Sequence, residues 1–211
     1  MLTLYYAPST ASLVVHWLLI DLAVPHQLRR VDIAAGEHKQ PAYLALNPAG
    51  VVPTLVLDDG QPLCEAAAII LHLADTYPAA HLAPPVGTPG RAAYYRWVLF
   101  CANTLQPAYR AWFYPDEPAG AANAQASKDH ARQRLEAGWA IVDAHLAANG
   151  PYLLGADLSA ADFLLVMLAR WARTMPTPAD RGPAVSRLAQ LVKQRPSFRE
   201  VYAREGLTDW T

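Results

Sequence analysis

Apolar positions in the first part of the chain fall into runs of two lengths, and each length predicts a different element. Leu2 to Tyr6 has the size and the aliphatic and aromatic content of a strand, and Pro8-Ser9-Thr10 is a turn whose hydroxyls can cap the next element. Ser12 to Leu22 is long enough for a helix. Its Leu13, Val14, Val15, Trp17, Leu18, Leu19 and Ile20 leave few polar positions, so this helix is expected to lie buried on a sheet. His26 to Val31 reads as a second strand, and a short helical turn is expected around Tyr43 to Leu46. Thr54 to Leu57 is a third strand, which the Asp58-Asp59-Gly60 turn joins to a fourth as in a hairpin. Glu65 to Tyr77 then shows helical spacing at Ile69, Ile70, Leu73 and Tyr77, and Pro78 stops it. The predicted order is strand, helix, strand, helix, strand, strand, helix.

The pattern changes after Ala83-Pro84-Pro85-Val86-Gly87-Thr88-Pro89-Gly90, a Pro/Gly-rich stretch with the composition of a linker. Beyond it no clear strand is seen. Arg91 to Tyr109, Gln125 to Ala148, Ala161 to Arg173 and Val185 to Gln194 carry long helical periodicities, which predicts an all-helical second part. The alanine-rich Ala119 to Ala126 reads as an exposed loop or a helix start. Ser159-Ala160-Ala161-Asp162 has the form of a capping box, a common structural motif. The expected division is 1–80, a linker 81–90, and 91–211.

Composition narrows the function classes. With 53% hydrophobic and 17% charged residues in 211, the chain can bury a sizeable core and is not a disordered sequence. A net charge of -1 argues against an electrostatically driven nucleic-acid binder. No apolar stretch reaches the roughly 18 residues of a membrane span. The N-terminus lacks a basic region followed by an apolar signal core, so no membrane partner and a cytoplasmic location are expected. The two cysteines, Cys64 and Cys101, make no disulfide framework and no metal-ligand spacing, and both read as small, buried, reduced side chains.

One segment breaks the ordinary rules. In Asn47-Pro48-Ala49-Gly50-Val51-Val52-Pro53-Thr54-Leu55 a proline stands where an apolar run becomes a strand, although proline removes a ladder donor. Two readings compete for Pro53. It is a loop proline that opens the strand, with the trans bond that base rates favour, or its geometry presents the backbone of Val52 to a ligand. Glu65, at the start of the next helix, is by itself a first-turn acid stabilising that helix.

The Asn47 to Leu55 motif, the acid at Glu65, the linker and the Ser159 to Asp162 box come in the order and spacing of cytosolic glutathione transferases, a family the chain resembles. The resemblance covers essentially the whole chain. It implies a thioredoxin-like α/β N-terminal domain and an all-α C-terminal domain, a homodimer, and glutathione as co-substrate with no metal. It implies transfer of the glutathione thiolate to hydrophobic electrophiles, a detoxification chemistry. In this family the proline matching Pro53 is cis, and the preceding residue, here Val52, pairs its backbone with the cysteinyl part of glutathione as an added strand would. Glu65 then meets the ammonium of the γ-glutamyl group, whose carboxylate faces the helix N-terminus. The family's next residue is a serine, and this chain has Ala66. Because a hydrogen bond to a charged group contributes about 1.5–3 kcal/mol, glutathione binding is expected to be weakened, unless backbone N–H groups or water compensate. Within Gly36 to Gln40, His38 and Lys39 are candidates for the glycyl carboxylate; without the resemblance this is an ordinary solvated loop. Gly50 stands where some classes carry a second histidine.

Thiol activation departs most from the family. A free thiol has a pKa near ~8.5, so a donor or dipole must favour its ionised form. The cysteine of the bacterial branch falls on Ala11, and the serine of other classes falls near Thr10. Thr10 and Ser12 are the candidate donors at the helix they open, and capping is their alternative role. Tyr6 is a further donor or a core aromatic, and His16 reads as a hydrogen-bonded structural histidine. With no cysteine before Cys64, exchange through a mixed disulfide is disfavoured. Tyr109, Trp112, Phe113 and Tyr114 either pack between helices or, as the family position implies, wall an apolar electrophile pocket. The alternatives are a glutathione-dependent isomerase or dehalogenase, and a non-catalytic glutathione-binding relative.

Overall fold

The structure, a computed structural model, describes residues 1–211. Its contacts divide the chain into two units, Met1–Ala83 together with Lys193–Thr211, and Pro84–Val192. The first unit is therefore discontinuous in sequence.

The first unit holds β1 (Leu2–Tyr6), α1 (Ser12–Asp21), β2 (His26–Arg30), α2 (Pro41–Leu44), β3 (Thr54–Val56), β4 (Pro62–Cys64) and α3 (Ala66–Thr76). The four strands form one sheet in the order β2-β1-β3-β4. β1 runs parallel to β2, with Leu2 opposite His26, and antiparallel to β3, with Tyr5 opposite Thr54; β3 pairs antiparallel with β4, with Thr54 opposite Cys64. The parallel pair needs a crossover, which α1 supplies, and the antiparallel pair needs only the tight turn at Gly60. Leu4, Leu55, Ile69, Ile70, Val14 and Leu18 are fully buried around the sheet. Edge strand β2 ends in the exposed Arg29 and Arg30, charges that discourage pairing with a further strand.

Helix α9 (Pro196–Glu205) returns to this unit. It explains why α1 is apolar on every side. Trp17 donates its Nε1–H to Ser197 Oγ at 3.0 Å and lies 5.2 Å from the Phe198 ring, while Arg195 grips Asp21 with two bonds of 2.7 and 2.8 Å. Sequence periodicity did not predict α9, because its polar side chains dilute a ten-residue apolar pattern.

The second unit holds α4 (Pro89–Phe100), α5 (Gln106–Phe113), α6 (Ala124–Asn149), α7 (Ala160–Trp171) and α8 (Pro183–Lys193). The expected Arg91 to Tyr109 helix is longer and carries a π turn over Cys101–Leu105. That turn immediately precedes Pro107, which cannot donate to a carbonyl one turn back, so the ladder shifts by a residue there. Gly138 of α6 lies against this turn: a Cβ there would fall 2.7 Å from Leu105 Cδ2. Ala119 to Ala126 spans an exposed loop, a short 3-10 turn and the beginning of α6. The predicted box forms at α7, where Asp162 accepts from Ser159 N–H and Leu153 N–H at 2.8 Å each and from Ser159 Oγ–H at 2.9 Å. Its burial pushes the carboxyl up to about 6, against the pull of those donors. No helix is long and apolar enough to cross a membrane.

Candidate functional site

Strand register alone gathers most of the predicted residues. With Tyr5 opposite Thr54 and Thr54 opposite Cys64, the end of β1, the approach to β3 and the start of α3 lie at one end of the sheet. The end of β2 joins them, since Tyr6 is opposite Arg30 and the carbonyl of Tyr6 accepts from Val31 N–H at 2.8 Å. Thr10, Val52 and Glu65 lie just beyond these four chain ends.

The Val52-Pro53 bond is cis, not the trans bond that base rates favour. Pro53 is buried and Val52 half-buried. The carbonyl of Val51 accepts from Tyr43 Oη–H at 2.7 Å and from Asn47 Nδ2–H at 2.8 Å. The N–H and C=O of Val52 have no partner within the protein. A free donor and acceptor at a strand start are what an extended peptide needs to pair as an extra strand.

Glu65 is the N-cap of α3, exposed, with φ 68 and ψ 111. A positive φ is uncommon for a residue with a Cβ, and such conformations cost of order 1–3 kcal/mol each. Its side chain makes no capping hydrogen bond to its own helix, although a carboxylate at this end still faces the positive end of the helix dipole. Ala66 begins α3 and is buried, and by helix geometry the first-turn N–H groups remain available to an anion.

Between β2 and β3, Lys39 Nζ donates to the carbonyls of Gly50 at 2.8 Å and Ala49 at 3.3 Å. Gly50 has φ +59, and a Cβ there would lie 2.8 Å from Lys39 Nζ and 2.9 Å from the His38 carbonyl oxygen. The space that a larger residue at 50 would occupy holds the lysine ammonium instead. His38 is half-buried, and its Nδ1 is covered and has no hydrogen-bond partner.

Thr10 and Ser12 form a closed local network around Ala7. Thr10 Oγ1–H donates to the Ala7 carbonyl at 2.7 Å, and Ser12 Oγ reaches the same carbonyl at 2.9 Å while accepting from Ala7 N–H at 3.2 Å. The two hydroxyls are 2.8 Å apart. Ser12 is fully buried, whereas Thr10 is partly exposed. Ala11 holds the N-cap position of α1, and Thr10 Oγ1 accepts from the N–H of Ser12, the first residue of the helix, at 3.3 Å, as the capping alternative expects.

One residue beside this loop escaped the sequence reading. Glu205 of α9 accepts from Ser9 N–H at 3.0 Å through Oε2, and its Oε1 lies 2.9 Å from His16 Nδ1, with both side chains fully buried. His16 thus has the partner expected of a structural histidine, and Ser9 is fixed at φ 64. A buried polar residue late in the chain was the one available signal, and nothing in its neighbours marks it as buried. Tyr6 is partly exposed, with its ring 5.6 Å from that of His16. Cys64 is half-buried, with its thiol near Leu46 O at 3.8 Å and Thr54 Oγ1 at 3.9 Å.

In the second unit, Tyr109 is fully buried, and its hydroxyl accepts from Trp139 Nε1–H at 2.9 Å. Its ring stacks on Phe113 at 6.1 Å, and Trp171 stands edge-on to both. Phe113 is 45% exposed and Tyr114 is 47% exposed. Lys128 Nζ sits 4.6 Å from the Trp112 ring centroid. No group of three His, Cys, Asp or Glu side chains is arranged to hold a metal ion.

Comparison with known proteins agrees with this geometry. Residues 8–76 match the glutathione S-transferase N-terminal domain and residues 125–204 the C-terminal domain. A glutathione S-transferase of Xanthomonas campestris pv. campestris is 37% identical over 173 residues, covering 80% of this chain and 81% of that protein. A maleylacetoacetate isomerase of Pseudomonas aeruginosa is 30% identical over 208 residues, covering 93% of each. The crystal structure of a glutathione transferase homologue from Sulfitobacter with bound glutathione superposes with a TM-score of 0.90 at 30% identity, covering 99% of both chains. With both domains matched in order and the sheet, the cis proline and the helical unit in place, the chain belongs to the glutathione S-transferase family.

Proposed function

We propose that this chain is a glutathione transferase that binds the tripeptide along Val52 and the N-terminus of α3 and delivers its thiolate to a hydrophobic electrophile. The observation that carries this reading is the unpartnered N–H and C=O of Val52 at the same end of the sheet as Glu65. The cysteinyl backbone pairs with Val52 beside Pro53, and the γ-glutamyl ammonium meets Glu65. Its carboxylate meets the backbone N–H groups that open at Ala66, and the glycyl carboxylate lies toward Lys39 and His38.

Thr10 is the better placed of the two candidate donors. The Ala7 carbonyl has two hydroxyls within reach, at 2.7 and 2.9 Å, so Thr10 can turn its proton to a sulfur while Ser12 keeps that carbonyl paired. Ser12, sealed from solvent, supports the loop. A hydroxyl donating to sulfur at a helix N-terminus favours the thiolate over the thiol. The thiolate attacks the electrophilic carbon, the new C–S bond forms, and the electrophile's displaced group or π electrons take the charge. For the electrophile, the family position points to Tyr109, Trp112 and Phe113 of the second unit, where Phe113 is exposed and stacks on Tyr109. A homodimer, a cytoplasmic location and a role in detoxification complete the reading.

The isomerase relative keeps a second reading open, in which the same thiolate adds to a substrate and leaves again. Product analysis separates the two, because only conjugation consumes glutathione. The central test is titration with glutathione while following the ultraviolet absorbance of the thiolate, in wild type, Thr10→Val and Ser12→Ala. The expected result is a thiolate signal in wild type, its loss in Thr10→Val, and its retention in Ser12→Ala. Binding without any thiolate signal would sink the conjugating reading.

A further inference from the structure

The peptide unit between Val51 and Val52 is held from behind by two buried donors, and this hold decides which way Val52 points. Tyr43 is 6% and Asn47 is 3% exposed. Both donate to one atom, the carbonyl oxygen of Val51, at 2.7 and 2.8 Å. That peptide is trans, since the cis bonds are elsewhere, and in a trans peptide the carbonyl oxygen and the next N–H point in opposite directions. With Val51 O drawn inward, the N–H of Val52 is turned away from Tyr43 and Asn47, and it is the N–H that has no partner within the protein.

The two donors are themselves braced. Tyr43 Oη has one proton, which goes to Val51 O, so it accepts from Thr54 Oγ1–H at 2.9 Å. Asn47 Oδ1 accepts from Ala49 N–H at 3.1 Å, which fixes the amide so that its NH2 faces Val51. Burial raises the Tyr43 pKa above its ordinary value, which keeps the phenol a donor. Tyr5 covers the Tyr43 ring at 5.9 Å.

We propose that Tyr43 and Asn47 are positioning residues for glutathione: by holding the Val51 carbonyl they fix the Val51-Val52 peptide in the orientation that offers the Val52 N–H to the cysteinyl carbonyl. Neither touches the ligand. They act by removing the rotation that binding would otherwise have to freeze. This rests on the reading of Val52 as the glutathione contact.

Because the clamp serves binding and not thiol ionisation, the two are separable. Tyr43→Phe deletes one hydroxyl from an otherwise intact ring, and it is expected to weaken glutathione binding roughly five- to tenfold, as loss of one neutral hydrogen bond would. Asn47→Ala is expected to weaken binding further, since it also frees Ala49. Thr54→Val, which removes only the brace, should have a smaller effect than either. The experiment is calorimetric titration with glutathione of wild type and the three variants, each checked for folding by thermal melting. It is joined to the thiolate absorbance of the bound tripeptide and to amide hydrogen exchange of Val52 in the free protein. Support is a rise in Kd and KM with an unchanged thiol pKa in the complex, together with a changed Val52 exchange rate. A folded Tyr43→Phe that binds glutathione as tightly as wild type overturns the clamp. Wild type that fails to bind glutathione overturns the reading of the site, and the clamp with it.

Discussion

The two halves of the proposed glutathione site in the first unit are built from different materials. At Val52 and the start of α3 the available groups are backbone N–H and C=O, free of internal partners and aimed by buried side chains. At the β1–α1 loop the available groups are hydroxyls already engaged with one another and with Ala7. A site that recognises through its backbone tolerates substitution of the side chains it carries, since the peptide group is the same for every residue but proline. A site that activates through a side chain does not. Ala66 leaves the α3 N–H groups in place, whereas with Ala11 in the loop the proposed donor is the neighbouring Thr10.

Three variants test that contrast. The largest effect is expected of Glu65→Ala, because Glu65 is the one charged side chain in the backbone-built half. Loss of its charged contact should weaken glutathione binding by roughly ten- to a hundredfold. Calorimetry that found no change would show that the helix end suffices without the acid. Ala66→Ser comes next, in the opposite direction. A hydroxyl added at the first position of α3 should tighten glutathione about tenfold without moving the thiol pKa in the complex. A shift in that pKa would mean that the two halves are coupled.

The smallest effect on glutathione, none, is expected of the capping box in the second unit, which instead shows in stability. Burial holds the Asp162 proton to about 6 in the folded protein, against 3.8 ordinarily. The folded state therefore binds more protons between those values, and the stability that Asp162 contributes is complete below the window and is lost as pH rises through it. Thermal melting of wild type across pH 4 to 7, as a difference from Asp162→Asn, should show that fall and a plateau above it. The difference is needed because His26, whose burial depresses its pKa, gives a slope of the opposite sign.

Local rules made the sheet, α1, α3 and the capping box legible, since each depends on neighbours in sequence: alternating apolar runs, a Gly60 turn, a serine three residues before an aspartate. Of the candidate site, the backbone shape at Val52-Pro53 was legible through the family resemblance, which implied the cis bond. What stayed hidden depends on partners far along the chain or on the backbone itself. The positive φ of Glu65 has no compositional mark. Tyr43 reads as one more aromatic in a four-residue helix until Val51, eight positions on, is seen to accept its proton. The π turn before Pro107 reads simply as helix, because a one-residue shift leaves the apolar spacing nearly intact.

The bond from Ser9 to Glu205 gives the chain an order of assembly. These residues are 196 positions apart, and the whole second unit is spelled out between them. During synthesis the strands and α1 can form as soon as they emerge, domains being made N-terminal end first. The loop carrying Thr10 has to wait for its carboxylate. A ribosome stalled between Ala66 and α9 would hold a nascent chain with every predicted glutathione contact already translated and that loop still unfastened. The proposed donor at Thr10 thus sits in a loop that is fastened by a carboxylate made 196 residues after Ser9.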